Sequence, residues 1–223
     1  TDARKQELYI DLITKVNDIS VTYRTSGEII FKDNTKLELE DDFSWNGRYY
    51  VYGYGKFQGS RTQLESAITL AYDTYGTVVD SNSKLVWKRY RSTQASIDGI
   101  VPVTSGDSIV NAVAAVSNYL GADFNAVSYM EQGHTAVETF DNISGVHGIS
   151  LTGITYEKAL SYVGDGSPVI ARIGEDEYII ITAYNSSEIA YIEASTGAQK
   201  TVSMNDAGKM FSQGGNIYVT YYK

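Results

Sequence analysis

Apolar residues near the N-terminus are spaced first as in a helix and then as in β-strands. Four of them recur at helical spacing, namely Leu8, Leu12, Ile13 and Val16. They predict a short amphipathic helix over about residues 4–17. Two β-prone runs follow at residues 19–23 and 28–31, and the turn-forming residues 25–27 between them predict a hairpin. The acidic stretch 38–42 then predicts a solvated turn.

The next segment has the pattern of further strands. Residues 48–59 alternate aromatic and small side chains, which is typical of a strand. Gly53 and Gly55 within it indicate a bulge or a close approach of two backbones. Short β-prone runs at residues 77–79 and 85–87 flank a polar turn and predict a second hairpin.

A helix is predicted between these strands. Ser60 or Thr62 is the expected cap, and Gly76 is the expected end. The apolar face of this helix consists of Leu64, Ala67, Ile68 and Ala71. Together these elements predict a small α+β region over residues 1–95, joined to the rest of the chain by a linker at about residues 90–97.

The second half of the chain places helices before strands. An Ala- and Val-rich helix runs from Ser108 to Leu120 and is stopped by Gly121, and its apolar character predicts burial. Further helices are predicted at residues 122–131, 135–140, 156–163 and 205–211. A loop is expected around His147. Strands are predicted at residues 169–173, 178–183, 189–193 and 217–221. This order indicates an α+β domain with an antiparallel sheet over residues 96–223.

Composition and charge exclude some classes of protein. Of the 223 residues, 43% are hydrophobic, which is in the ordinary globular range and does not indicate disorder or a fibrous repeat. The formal net charge is -9 and long runs of Lys or Arg are absent, so nucleic acid is not an expected partner. The 19 tyrosines, against 6 phenylalanines, predict many half-buried strand positions.

The absence of cysteine excludes disulfides, thiolate metal sites and thiol chemistry. Cysteine usage by itself fits a reducing cytosol as well as a bacterial surface. An apolar run of about 18 residues and a signal-peptide pattern are both absent, so we expect neither a membrane span nor an export signal in this sequence. Because the sequence opens on Thr1 rather than Met, we expect it to be a piece of a longer precursor.

Three motifs in the second half carry a resemblance to a known family. They are Asn118-Tyr119-Leu120-Gly121 at the helix end, Pro168-Val169-Ile170 followed by residues 177–184, and Glu193-Ala194-Ser195-Thr196-Gly197. With these motifs, residues 97–223 resemble the C39 peptidase-like branch of the papain superfamily. In that family a nucleophilic Cys opens the helix, a His opens the second strand, and an acid or amide in the third motif orients the His. The resemblance implies a papain-like fold.

Each catalytic position of the resembled family holds a different residue here. Counting back from the helix end places Ser108 at the cysteine, and the other two positions hold Glu177 and Glu193. A cysteine peptidase is therefore excluded. A glutamate is a poor base for a hydroxyl because its reference pKa of about 4.3 is far too low. A second carboxylate would repel the first instead of orienting it, so the three changes together favour lost chemistry.

These positions also have structural interpretations. Asp107 and Ser108 are both favoured helix caps, and Glu177 fits a solvated charge at a strand end. His134 and His147 do not have the spacing of a metal site, so we expect hydrogen-bonded surface roles for them. No metal and no cofactor is predicted.

The leading hypothesis is a noncatalytic C39-like module, not an enzyme, that keeps a cleft for a peptide, a cell-wall component or a partner protein. The predicted cleft residues are Asp107, Ser108, Glu177, Tyr178 and Glu193. With Trp87 they would shape an anionic groove for basic ligands. One alternative is a hydrolase with rewired chemistry that uses Ser108 or the carboxylates Glu177 and Glu193. The other is a purely structural or adhesive domain whose own side chains fill the cleft.

The N-terminal region carries a second resemblance. Its runs Tyr49-Tyr50-Val51-Tyr52, Val78-Val79-Asp80 and Val86-Trp87, with a short helix between them, resemble segments that accompany inactive C39-like domains in large surface proteins of clostridial-type bacteria. This resemblance implies an extracytoplasmic location in a Gram-positive bacterium, at the cell surface or tethered by a membrane segment outside this sequence.

Overall fold

The structure is a computed structural model that describes residues 28–30, 36–38, 49–89 and 92–223. The chain divides into two compact units, with the boundary between Val86 and Trp87. The domain boundary expected from the sequence, between residues 95 and 96, stays a prediction. The predicted helix near the N-terminus lies outside the described residues.

The first unit contains a short two-stranded ladder. β1 (Glu28–Ile30) pairs antiparallel with β2 (Lys36–Glu38), a strand that the sequence did not predict. The hairpin partner predicted for β1, at residues 19–23, lies outside the described residues. The predicted acidic turn at residues 38–42 starts on the last residue of β2, and its remainder also lies outside them.

A four-stranded sheet forms the larger part of the first unit. Its strands are β3 (Tyr49–Gly53), β4 (Lys56–Arg61), β5 (Thr77–Val79) and β6 (Leu85–Lys88), in the order β4-β3-β5-β6. The single strand predicted over residues 48–59 is wrong. Tyr54 and Gly55 both adopt positive φ (51° and 74°), the backbone of a type I′ turn, so the segment folds into a hairpin. The close backbone approach predicted at Gly53 is confirmed, because a Cβ there would lie 2.7 Å from the Thr74 carbonyl oxygen.

One helix, α1 (Leu64–Asp73), packs on this sheet. Its buried residues are the four predicted ones, Leu64, Ala67, Ile68 and Ala71. The predicted cap is wrong, because Gln63 is the N-cap in place of Ser60 or Thr62. Ser60 still belongs to β4, and the helix cannot begin before that strand has ended.

The second unit is built on a seven-stranded antiparallel sheet. Its strands are β7 (Ala95–Ser96), β8 (His147–Thr152), β9 (Val169–Arg172), β10 (Tyr178–Tyr184), β11 (Glu188–Glu193), β12 (Gln199–Ser203) and β13 (Ile217–Tyr222). The order is β12-β11-β10-β9-β13-β8, and β7 pairs with β10. Helices combined with an antiparallel sheet confirm the predicted α+β class.

Three details of this sheet differ from the sequence prediction. β7 lies within the predicted linker at residues 90–97 and is defined by its pairing with β10. β12 was not predicted, because its residues are polar and mostly exposed. His147 does not lie in a loop: it is the first residue of β8 and stands opposite Tyr222 in the ladder with β13.

Five helices of the described residues accompany this sheet. They are α2 (Ser108–Tyr119), α3 (Ala126–Glu131), α4 (Ala136–Asp141), α5 (Tyr156–Gly164) and α6 (Met204–Gln213). α2 contacts β10, α3 and α4, and its middle part is fully buried, as its composition predicted. It ends in a Schellman motif: Gly121 has φ 77° and donates to the Asn118 carbonyl, while Ala122 donates to the Ser117 carbonyl.

Helix length bears on the membrane prediction. α2, one of the longest helices, has 12 residues. Within the described ranges, no helix has both the length and the apolar character needed to cross a membrane.

Candidate functional site

Ser108 is the residue that the sequence resemblance places at the nucleophile position. It is the first residue of α2, and Asp107 is the N-cap but forms no side-chain capping bond. The Ser108 hydroxyl accepts a hydrogen bond from the Tyr178 N–H (2.9 Å) and donates one to the Tyr178 carbonyl (3.3 Å). The predicted capping role of Ser108 is therefore wrong, because its side chain is turned towards β10.

The three predicted triad residues belong to backbone segments that contact one another. The Tyr178 carbonyl that accepts from Ser108 also accepts a hydrogen bond from the Ala194 N–H (3.1 Å). Glu177 directly precedes Tyr178, and Glu193 directly precedes Ala194. Ser108, Glu177 and Glu193 thus belong to segments that meet around one carbonyl group.

Glu177 lies in the turn that connects β9 to β10. Its carbonyl oxygen accepts a hydrogen bond from the Ile173 N–H (2.9 Å), and its side chain is exposed. The carboxylate lies beside Gly174, where an added Cβ would be 3.3 Å from the Glu177 Oε2. In the described part of the chain, no hydrogen bond joins Glu177 to Ser108. Its position fits the interpretation of a solvated charge at a strand end.

The carboxylate of Glu193 is hydrogen-bonded by one residue of the following loop and by one residue of β12. The Lys200 ammonium donates to one oxygen and forms an ion pair, and the Thr196 hydroxyl donates to the other oxygen (2.9 Å). These hydrogen bonds lower the pKa of Glu193 below its usual value, and the bond to Glu193 raises the pKa of Lys200. The sequence prediction missed this pairing, since Lys200 belongs to the unpredicted strand β12. Glu193 is thus a paired anion.

A buried amide that the sequence analysis did not single out shapes the loop before α2. Asn111 is 2% exposed, and its Nδ2 donates to the Gly106 carbonyl (2.7 Å) while its Oδ1 accepts from the Gly106 N–H (2.8 Å). Both backbone groups of Gly106 are therefore paired. The signal in the sequence is a single Asn inside the apolar run of α2, since a buried amide requires partners.

Trp87 does not shape a groove, and this part of the prediction is wrong. Its side chain is 2% exposed, and its indole Nε1–H donates to the Lys158 carbonyl (3.0 Å). Trp87 is therefore a core residue whose one polar atom is satisfied internally.

The two histidines each stack on a tyrosine. The His134 ring lies 3.8 Å from the Tyr129 ring at 8°, and the His147 ring lies 5.0 Å from the Tyr222 ring at 26°. Among the residues that the structure describes, no group of three or more His, Asp or Glu side chains could hold a metal ion.

A cleft of about 560 Å³ lies beside the middle and end of α2. Its lining includes Val103, Ser105, Ala114, Asn118, Asp123 and Phe124. The five predicted cleft residues do not line it, and their role in binding stays a prediction. The sequence signal for this cleft was weak, because its residues come from α2, from the start of α3 and from two loops.

Comparison with known proteins adds a structural likeness. No family model and no curated protein matches the chain. Among solved structures, the crystal structure of a candidate C39-like peptidase from Bacillus anthracis is similar, with a TM-score of 0.49 and 11% identical residues. The match covers 59% of this chain and 98% of that one. The α+β class of the chain follows from its own strand pairing and helices.

Proposed function

We propose that this chain contains a noncatalytic module with a C39-like peptidase fold that serves a larger protein as a binding domain. The observation that carries the proposal is the double hydrogen bond between the Ser108 hydroxyl and the backbone of Tyr178. A hydroxyl engaged in this way joins two structural elements at the place where the resembled family has its nucleophile.

The surroundings of the Ser108 hydroxyl do not suit a nucleophile. A serine nucleophile needs a base within hydrogen-bond reach that takes its proton. The Ser108 proton is directed to a peptide carbonyl, which is not a base near neutral pH, and a lone pair of its oxygen is occupied by a peptide N–H. Attack on a substrate would first require both hydrogen bonds to break, which adds to the barrier.

The surroundings of Glu193 argue against an acid and base pair made of the two carboxylates. Such a pair needs one carboxyl whose pKa is raised, so that it carries a proton at working pH. The pKa of Glu193 is shifted in the opposite direction, because Lys200 and Thr196 donate hydrogen bonds to its ionised form. Glu177 is exposed to water. We therefore favour the binding module over the hydrolase.

The cleft beside α2 supports a binding role. It lies away from the predicted cleft at Ser108 and Glu177, so the structural alternative, in which side chains fill that predicted cleft, stays open, and the support comes from the volume of about 560 Å³. This volume lies in the range of sites for small molecules and peptide side chains. The part of α2 that contributes Ala114 to the lining is buried.

A turnover assay tests the proposal. The protein is incubated with a mixture of fluorogenic peptides and a peptide thioester, beside an active C39 peptidase that shows the substrates to be competent. We expect no hydrolysis above the buffer rate from the wild type or from Ser108→Ala. Hydrolysis by the wild type that disappears in Ser108→Ala, Glu177→Gln or Glu193→Gln would overturn the proposal.

We also propose an extracytoplasmic location. Its support is the resemblance of the N-terminal runs to segments of large surface proteins. Surface labelling of intact source cells with an antibody against this chain tests it, with a cytoplasmic enzyme as the control. Labelling that appears only after the cells are opened would contradict it.

A further inference from the structure

The cleft beside α2 combines an apolar floor with free polar groups. Ala114 and Asn118 stand four residues apart on α2 and therefore share one face of the helix. Ala114 is buried and forms part of the floor, whereas Asn118 is exposed. In the described part of the chain, no hydrogen bond joins the side-chain amide of Asn118 to another residue. The cleft thus contains an available donor and an available acceptor on one side chain.

Part of the cleft lining is an aromatic ring that packs against a second ring. Phe124 lines the cleft, and its ring packs edge-on against Tyr129 with 5.3 Å between the ring centroids. Tyr129 in turn stacks on His134 at 3.8 Å. A ring packed against a second ring that is itself stacked presents apolar surface at a small cost in conformational entropy.

The loop before α2 has backbone groups that are not used by other backbone groups. Residues 98–105 form neither a helix nor a strand, and they make no backbone hydrogen bond to another residue in the ranges described. Val103 and Ser105 of this loop line the cleft. Unpaired N–H and C=O groups beside a cleft are what an added peptide chain pairs with.

Two exposed apolar residues are close in sequence to residues that line the cleft. Val101, two residues before the lining residue Val103, is 71% exposed, and Tyr119, next to Asn118, is 38% exposed. Among the described residues of the second unit, these two are the exposed large hydrophobic residues. Exposed apolar side chains next to lining residues are consistent with an interaction site.

The charge of the cleft comes from Asp123. This residue lines the cleft and is exposed, and no ion pair joins it to a described residue. Because Asp123 is acidic and the whole chain has a net charge of -9, a positively charged ligand group is the electrostatic complement of this cleft.

We propose that this cleft binds an extended peptide segment, with an apolar side chain against Phe124 and an adjacent Lys or Arg beside Asp123. The Asn118 amide pairs with a peptide group of the ligand, and the loop at Val103–Ser105 pairs with its main chain. This inference rests on the proposed noncatalytic binding role, and it moves the binding site away from Ser108 to the far half of α2.

Titration of the full chain with short synthetic peptides, followed by amide NMR, tests the site. The probes are acetyl-Gly-Gly-Leu-Lys-Gly-Gly-amide and its Lys-Leu counterpart, which allow both chain directions. Matched probes replace Leu by Ser or Lys by Glu. We expect saturable shifts at Ser105, Asn118 and Phe124 with a Leu- and Lys-containing probe, and binding weaker by about fivefold or more with each replacement.

Variants of the protein test the named contacts. Asp123→Asn and Asn118→Ala should each weaken binding of the Leu- and Lys-containing probe by about fivefold. Glu131→Gln removes an exposed carboxylate of α3 outside the cleft and should leave the affinity unchanged. All three positions are exposed, so the variants are expected to fold, and their amide spectra verify this directly.

The inference would be overturned by the absence of a saturable shift around the cleft with either Leu- and Lys-containing probe, or by equal affinity for the Glu-containing probes. Binding of an N-acetylglucosamine oligomer to the cleft in place of the peptides would overturn it as well. The proposed noncatalytic role fails separately, if new peptide signals show that the probes are cut. Loss of binding with intact probes therefore contradicts only the inference.

Discussion

The Ser108 hydroxyl both accepts a hydrogen bond from the Tyr178 N–H, at 2.9 Å, and donates one to the Tyr178 carbonyl, at 3.3 Å. This contact joins the first residue of α2 to the first residue of β10 across 70 positions of sequence. The same carbonyl receives the Ala194 N–H, so the start of a helix, the start of one strand and the end of another are fixed together.

Loss of the Ser108 hydroxyl should lower stability without changing any turnover. Ser108→Ala leaves the Tyr178 N–H without its hydroxyl partner, and an unsatisfied, partly buried donor costs about 1–3 kcal/mol. We expect the free energy of unfolding in urea to fall by about this amount. Ser212→Ala, at an exposed serine of α6, serves as the control and should change it by less than about 0.5 kcal/mol. Equal stabilities of the two variants would contradict the structural role of Ser108.

Residue counting from the helix end located Ser108, but it could not give the partner of its hydroxyl. The spacing of Ala and Val predicted a buried helix, because burial and period are local properties of the sequence. The Tyr178 contact depends on how β10 is placed by the whole sheet, and local patterns carry no information about that. The pairing of Glu193 with Lys200 was missed for a related reason, since β12 is polar and becomes a strand only by pairing with β11.

The errors in the first unit have local causes. The four buried residues of α1 were predicted correctly because their spacing alone defines a helix face. The hairpin of β3 and β4 was predicted as one strand because its turn contains Tyr54 at positive φ, where Gly or Asn is expected. Bulky residues rarely adopt this conformation, so a sequence pattern does not signal it.

Asn111 should contribute to stability through its two bonds to Gly106. Asn111→Ala removes a buried donor and acceptor, and both backbone groups of Gly106 lose their side-chain partner. We expect a loss of about 1–3 kcal/mol in the free energy of unfolding and faster hydrogen exchange at the Gly106 amide. Asn118→Ala removes an exposed amide from the same helix and should have a much smaller effect on stability.

The charge-changing variant Asn111→Asp sharpens this test. An ionised carboxylate still accepts from the Gly106 N–H but cannot donate to the Gly106 carbonyl, whereas the protonated acid can do both. The introduced carboxyl should therefore have a raised pKa in the folded protein, and the variant should be less destabilised at acid pH than at neutral pH. A destabilisation independent of pH would contradict the bidentate contact.

Two glycines of the α6 region should respond in opposite directions to alanine. An added Cβ at Gly208 would meet only the Tyr156 ring at 3.5 Å, which is ordinary van der Waals contact. At Gly214 it would lie 1.9 Å from the Arg172 carbonyl oxygen. Gly208→Ala should stabilise the protein by about 0.5–1 kcal/mol through helix propensity. Gly214→Ala should destabilise it by about 3 kcal/mol, because the backbone of β9 must move.

Thermal unfolding of these two variants compares them directly. Both changes reduce the entropy of the unfolded chain in the same way, so the difference between them reports on the folded state. Variants with the same midpoint would contradict the close approach of Gly214 to β9.

Alkaline pH should destabilise the protein through its buried tyrosines. Burial raises the pKa of Tyr221 to about 12, and burial also raises the pKa of Tyr52 and of Tyr218. A phenol in the unfolded chain loses its proton near pH 10, whereas the buried phenol keeps it. Between these two pKa values the folded state binds more protons than the unfolded state, so stability falls as pH rises. For Tyr221 alone, two pH units correspond to about 3 kcal/mol.

Urea unfolding at a series of alkaline pH values, with tyrosinate absorbance recorded in parallel, measures this effect. The stability contributed by the protonated phenols should be fully present below about pH 10 and should decline above it. Tyr221→Phe should flatten the decline, since phenylalanine has no proton to release. Tyr54→Phe, at a ring that is 66% exposed, serves as the control substitution. If Tyr221→Phe and the wild type lost stability at the same rate, the Tyr221 phenol would have to ionise equally in both states, and its burial could not be the cause.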